Sequence, residues 1–249
     1  MILEIDAGNT RLKWRVVTNF LAVCDAGDLL LDENTNDFFV KNECFSKVNG
    51  LRFSSVARGQ QIEELYLSLS MTFGRDNLYL AKSEKKMLGV SFAYEEVGRL
   101  GVDRCLAMVA AFNRYPEGVL VLDCGSAITV DYVDSAGVHL GGYILPGYGM
   151  LKKSLLLGTS QIQLKEEVEV SLELGKTTEE CVSNGVHLFL FSALNSIREL
   201  ASKKGITKFV VTGGDAFLLN KLALSSYKYH PDLVFEGLGL MSPFDKAAV

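Results

Sequence analysis

Asp6-Ala7-Gly8-Asn9-Thr10 closes a short apolar run at residues 2–5, and Asp123-Cys124-Gly125-Ser126-Ala127 closes another at 118–122. In each, a carboxylate ends a buried strand, a glycine lets the chain turn sharply with its amides exposed, and small polar residues follow. Each is then followed by a further strand pattern, at 12–17 and 128–133. Alone, Asp-x-Gly-Asn-Thr is also an ordinary hairpin turn. Two copies in the same strand-turn-strand setting, 117 residues apart in a chain of 249, describe a long internal repeat.

Working outward, the first half reads as strands at 2–5, 12–17, 21–24, 51–56 and 77–81, with helical periods at 37–46, 60–72 and 102–115. The second half restarts the order with strands at 118–122, 128–133 and 138–145. Long helical stretches follow, clearest at 178–203, and then strands at 208–212 and 232–235. The pattern predicts an α/β protein of two related lobes, each a mixed sheet flanked by helices. Pro116-Glu117-Gly118 is the natural boundary, giving lobes 1–116 and 117–249.

The turns suggest a chemistry. Exposed amides can hold phosphate oxygens while the Asp6 carboxylate holds magnesium or its waters, and Arg11 and Lys13 lie just beyond with positive charge. A third element, Val210-Val211-Thr212-Gly213-Gly214-Asp215, ends a strand in paired glycines, which permit close approach by a flat group such as adenine and its ribose. Two phosphate turns facing each other, with this strand end beside them, form a nucleotide clamp. Other nucleotide signatures fail: no GxGxxG follows the first strand. Gly175-Lys176-Thr177 would need a glycine at position 170, which is Val170.

Composition narrows the class. With 25 Lys and Arg against 30 Asp and Glu, the net charge of −5 excludes a broad basic face for nucleic acid. Five cysteines form no CxxC pair, and three distant histidines give no zinc spacing, so the thiols read as small buried hydrophobes of a reducing compartment. Cys124 reads as filler between strand and turn, and Trp14 as core. The run Lys165-Glu166-Glu167-Val168-Glu169 reads as solvated surface. The first residues, Met1-Ile2-Leu3-Glu4-Ile5-Asp6, carry acids where a secretory signal needs bases. No stretch approaches the roughly 18 apolar residues of a membrane span. The expectation is a cytoplasmic protein with no nucleic-acid or membrane partner.

Together the three elements resemble the phosphate-1, phosphate-2 and adenosine motifs of the superfamily containing actin, hexokinase, acetate kinase and the heat-shock chaperones. Within it, the whole chain is similar to type III pantothenate kinases. Asp6-Ala7-Gly8-Asn9-Thr10, Gly101-Val102-Asp103-Arg104 and Leu140-Gly141-Gly142-Tyr143-Ile144-Leu145-Pro146-Gly147 carry that likeness, and Ser126 stands where the family usually has Thr. The resemblance implies an actin/ribonuclease H-like duplicated fold with an ATP cleft between lobes. It implies ATP-dependent phosphorylation of pantothenate, with magnesium and a monovalent cation (potassium or ammonium), by a homodimer.

By position, Asp6, Ala7, Gly8, Asn9, Thr10, Arg11, Leu12 and Lys13 would surround the ATP phosphates, with Ser126 opposite and Gly213, Gly214 and Asp215 at the adenosine. Asp103 would accept the proton. Tyr94, Gly101, Val102, Asp103, Arg104 and Thr178 would contact pantothenate, Thr178 across the dimer interface, and Asp123 would ligate the monovalent cation. The competing readings are another small-molecule kinase on this scaffold, and a non-catalytic nucleotide-binding regulator, which would need no proton acceptor.

Overall fold

The structure, a computed structural model, describes residues 1–18, 22–32, 34–42, 45–159, 162, 168–169, 171–217 and 227–242. Leu21, at the head of one expected strand, and Lys165-Glu166-Glu167 of the acidic run lie outside them, as do residues 218–226 and 243–249. The chain divides into two compact units. The first comprises Met1–Gly89, Tyr94–Ala110 and Asp232–Val249, the second Val90–Ala93 and Ala111–Pro231.

In the first unit, β1 (Ile2–Ala7), β2 (Arg11–Val17), β3 (Val23–Leu30), β4 (Gly50–Ser55) and β5 (Leu78–Leu80) form a sheet of order β3-β2-β1-β4-β5. β1, β2 and β3 run antiparallel, whereas β1, β4 and β5 run parallel. Strand alternation puts Leu3, Ile5 and Ala7 on one face with Leu12, Trp14 and Val16 of β2 and Leu51 and Phe53 of β4. α1 (Thr35–Lys41) brings Phe39 to that face, and α2 (Gln60–Phe73) brings Ile62, Leu65 and Leu69 at helical spacing. Trp14 is core, edge-on to Phe39 and Phe45.

The other face is polar. Buried Glu4 accepts from Arg15 and Arg52, and Arg15 also reaches Asp232 at 3.2 Å and lies over the Phe235 ring. Those last two contacts fix the terminal helix. α3 (Val102–Arg114) and α4 (Tyr148–Gly158) precede α5 (Thr178–Lys203), and α6 is Leu233–Met241. α6 crosses α3 so closely that a Cβ on Gly237 would stand 2.2 Å from the Leu106 carbonyl oxygen. The expected strand at 232–235 is therefore a helix. Its run, Leu233-Val234-Phe235-Glu236-Gly237-Leu238-Gly239-Leu240-Met241, is apolar nearly all round, a pattern in which strand and buried helix read alike. β3 also differs, running over Val23–Leu30 rather than 21–24. As the sheet's edge it keeps the charged Asp25 and Asp28 and the side-chain-less Gly27, which blunt any alternation.

The second unit repeats the topology. After the short paired strands β6 (Lys86–Met87) and β7 (Val90–Ser91), β8 (Val119–Cys124), β9 (Ala127–Val133), β10 (His139–Pro146), β11 (Lys208–Thr212) and β12 (Lys228–Tyr229) take the order β10-β9-β8-β11-β12. Three strands are antiparallel and the β8-β11-β12 group parallel, as in the first sheet. Its core packs Leu120, Leu122, Ile128 and Val130 against Val186, Leu190, Leu194, Ile197 and Ala201 of α5, one stripe at intervals of three and four. α5 starts at a capped end: the Thr177 hydroxyl accepts from the Glu180 amide, and Glu180 accepts from the Lys176 amide.

Candidate functional site

The first turn joins β1 to β2. Gly8 donates its amide to the Arg11 carbonyl at 2.9 Å, and the Ala7 carbonyl accepts from the amides of both Val56 and Ala57, at 3.0 and 3.3 Å. The parallel pairing of β1 with β4 thus clamps the residue before Gly8. Asn9, Thr10 and Arg11 are exposed, and Asp6 faces Lys13 across the strand pair. Ala7 and Leu12 turn their side chains into the core, so only their backbone is available to a ligand. Arg11 is held by Asp28 of β3, Nε to Oδ2 at 2.6 Å. That partner was invisible in the sequence, because nothing there fixes the β2–β3 register.

Beside this turn, in the same unit, stands the Gly101–Arg104 segment. α3 begins at Val102, so Asp103 lies in its first turn, where the helix dipole favours a carboxylate. Asp103 Oδ1 accepts from the Arg104 amide at 2.7 Å. A Cβ on Gly101 would lie 2.4 Å from that oxygen, so glycine is what leaves the carboxylate its room. The same Cβ would be 3.4 Å from Val56 Cγ1, so the residue that clamps Ala7 also packs under Gly101. Arg104 is almost fully buried, donates to the Tyr94 hydroxyl at 2.9 Å and stacks over its ring. Lys85 Nζ donates to the Tyr94 carbonyl and steadies that loop. Tyr94, Gly101, Asp103 and Arg104 are therefore one cluster, while Val102 points inward.

The second turn carries Asp123, Ser126, Gly213, Gly214 and Asp215 in the other unit. Gly125 donates to the Ala127 carbonyl at 3.1 Å, and Ser126 is exposed. Gly213, at φ +94°, presses on its rear: a Cβ there would be 2.3 Å from the Cys124 carbonyl oxygen and 2.5 Å from Asp123 Oδ1. Gly147 presses from the side, within 2.5 Å of the Gly125 and Ser126 carbonyl oxygens by the same measure, and donates its amide to Ser126. The Gly141-Gly142 pair has its own reasons. Gly141 sits at φ +107° where β10 shifts register, and a Cβ on Gly142 would strike the Val130 carbonyl. Gly214 is open to approach, with nothing within 4 Å of a Cβ. Burial raises the Asp215 carboxyl above the usual range. Burial, then the nearby Asp123 and Asp215 charges, push the Cys124 thiol up, so it stays protonated and inert.

Thr178 is the first residue of α5, exposed beside its cap. It lines a largely apolar cavity of about 710 Å³ with Leu151, Leu155, Cys181, Val186 and Phe189.

The donors suit hard cations. Among the described residues no three His, Cys, Asp or Glu side chains cluster to hold a metal. Magnesium needs no such cluster, because it keeps its waters and takes one or two carboxylates plus substrate phosphates. Asp6 beside exposed amides meets that description. Asp123 Oδ1 and the Cys124 carbonyl oxygen both lie within 2.5 Å of where a Gly213 Cβ would stand, and oxygen is the donor type a hard cation takes.

Two units that share one five-stranded topology, each with an Asp-x-Gly turn between its first two strands, define the duplicated actin-like class of α/β kinases and ATPases. Solved structures agree. The Baf-family protein of Campylobacter jejuni matches at TM-score 0.63 and 24% identity, covering 96% of each chain. The activator of the 2-hydroxyisocaproyl-CoA dehydratase from Clostridium difficile, with bound ADPNP, matches at TM-score 0.52 and 13% identity over 96% of this chain and 92% of that one. At these identities the likeness is one of fold.

The sequence is more particular. The family model described as type III pantothenate kinase matches residues 2–199. A type III pantothenate kinase of Chromohalobacter salexigens is 34% identical over 258 residues, covering 99% of this chain and 89% of the relative. The chain belongs to the type III pantothenate kinase family.

Proposed function

We infer that this chain transfers the γ-phosphoryl group of ATP to pantothenate, giving 4′-phosphopantothenate at the opening step of coenzyme A synthesis. Family membership supplies the reaction, and the Asp103 cluster is the observation that supports its mechanism. Phosphoryl transfer needs a positioned hydroxyl, neutralised phosphates and a proton acceptor. Asp103, in the first turn of α3 with Gly101 making room, is the acceptor for the pantothenate hydroxyl proton. Proton removal comes late in a loose transition state, so placement counts for more than basicity. Arg104, held on Tyr94, offers its planar fork to the substrate carboxylate or the transferring group. Gly101 and Thr178 complete the pantothenate contacts.

The Asp6–Lys13 amides and cations would hold the phosphates, and Ser126 would add its hydroxyl to them. Gly213, Gly214 and Asp215 meet the adenosine. Asp6 would hold magnesium, which when bound would supply charge neutralisation at the phosphates, and Asp123 would hold potassium or ammonium. The protein works in the cytoplasm; among the described residues no helix is long and apolar enough to cross a membrane.

It works as a homodimer. Leu157 is 78% exposed and Phe189 53%, with Leu156 and Leu188 also uncovered, all on α4 and α5, the helices that line the Thr178 cavity. Exposed large apolar side chains of this kind support an interface. Sedimentation should give the mass of two chains, and a monomer at assay concentration would remove this part of the reading.

The activity test is ADP formation with pantothenate, magnesium and potassium, alongside a panel of sugars. Turnover confined to pantothenate is the expected result; turnover on a sugar alone would replace the reading. Asp103→Asn should lower kcat by about 10²–10⁴-fold with the fold intact. Near-normal turnover would take Asp103 out of the acceptor role.

A further inference from the structure

The polar face of the first sheet is built in rows. In one row Arg15, Glu4 and Arg52 stand in register on β2, β1 and β4, and both arginines bond the acid, Arg15 Nε at 2.5 Å and Arg52 Nη1 at 2.6 Å. Two residues further along, the next row on the same face is Lys13, Asp6 and Ser54. Again an acid on β1 faces a base on β2. On β4, however, the second base is replaced by a serine.

Ser54 is fully buried, and its Oγ has no hydrogen-bond partner. A buried hydroxyl left unpaired gives up its water for nothing, so alanine would suit the resting fold better. The position therefore calls for a reason outside the resting fold, and its neighbour in register provides one. The first row balances its carboxylate with two cations, whereas the second supplies Asp6 with a lysine on one side and a neutral donor on the other.

We propose that Ser54 is a positioning residue for Asp6: its hydroxyl is the donor that fixes the Asp6 carboxylate when the magnesium nucleotide binds. The inference rests on the reading of Asp6 as the magnesium-side carboxylate. A second arginine at this position would neutralise Asp6 and repel a divalent cation. An alanine would offer the carboxylate no donor. Serine orients it and adds no charge, as the outer hydrogen-bond partners of metal ligands do. Ser54 lies outside the Asp6–Lys13 segment, and only the β1–β4 register brings the two together.

The experiment titrates Mn²⁺, as a paramagnetic stand-in for magnesium, into the full-length protein holding a non-hydrolysable ATP analogue. Free Mn²⁺ is read by its resonance signal for the natural sequence, Ser54→Ala and Asp6→Asn, and the melting temperature of each ligand-free protein is recorded. Ser54→Ala should weaken Mn²⁺ binding about tenfold while melting no lower than the natural protein, because the change deletes an unpaired donor. A purely structural serine would do the opposite, lowering the melting temperature and sparing the affinity; that result overturns the proposal. If Asp6→Asn weakens Mn²⁺ binding and Ser54→Ala does not, the Ser54 inference fails and the Asp6 reading stands. If Asp6→Asn itself binds Mn²⁺ normally, the Asp6 reading falls first and this inference with it.

Discussion

The turn after Asp6 and the turn after Asp123 join corresponding strands of two sheets with the same strand order, and they are held by different forces. The first hangs from backbone hydrogen bonds: two amides at the end of β4 grip the Ala7 carbonyl, and the turn itself is open. The second is wedged by packing, with Gly213 behind it and Gly147 beside it, each too close for any side chain. Their charges differ in the same sense. Arg11 and Lys13 follow the first turn directly, with Asp28 bonded to Arg11, whereas the second offers the neutral Ser126 hydroxyl. Topology repeats, then, while the work is divided. One copy brings cations on a turn with room to adjust, and the other brings a fixed surface.

The most damaging way to break that division is at Gly213. Alanine there meets the Cys124 carbonyl and must also hold φ +94°, which costs about 1–3 kcal/mol before any clash is counted. With overpacking of similar size, Gly213→Ala should lower the melting temperature by roughly 5–15 °C and abolish ATP turnover at the assay temperature. Gly214→Ala, with open space around its Cβ, should melt as the natural protein does and raise KM for ATP. Equal melting of the two variants would show that the second turn is not wedged.

The same contrast explains what the sequence disclosed. α5 and β11 were legible over 178–203 and 208–212, since a long helical period and a short apolar run announce themselves locally. Both Asp-x-Gly turns were legible for the same reason. What holds them was not. The Val56 and Ala57 amides reach Ala7 only through the β1–β4 pairing, and Gly147 reaches Ser126 only once β10 has returned along β9. Asp28 needed the β2–β3 register, and Ser54 looked like an ordinary strand serine until it fell in line with Asp6. α6 was misread because its role, covering the buried Glu4–Arg15–Arg52 row, is written in its partners rather than in its own apolar run. Elements follow from local pattern, and site geometry from register.

A finer test removes from each turn one group proposed to meet the phosphates. Lys13→Ala deletes a cation, and a charge-assisted bond to phosphate contributes about 1.5–3 kcal/mol. KM for ATP should therefore rise roughly 10–100-fold by that estimate, and the penalty should shrink as salt is added, because screening weakens the natural protein's advantage. Ser126→Ala deletes a neutral donor worth about 0.5–1.5 kcal/mol, a rise of roughly 2–10-fold that salt leaves nearly unchanged. The salt response separates the two turns more cleanly than the size of either effect, since a neutral bond has no charge to screen. If both variants lose the same factor and respond alike to salt, the division between a charged turn and a fixed one is wrong, and the two turns act on the phosphates as equivalent halves.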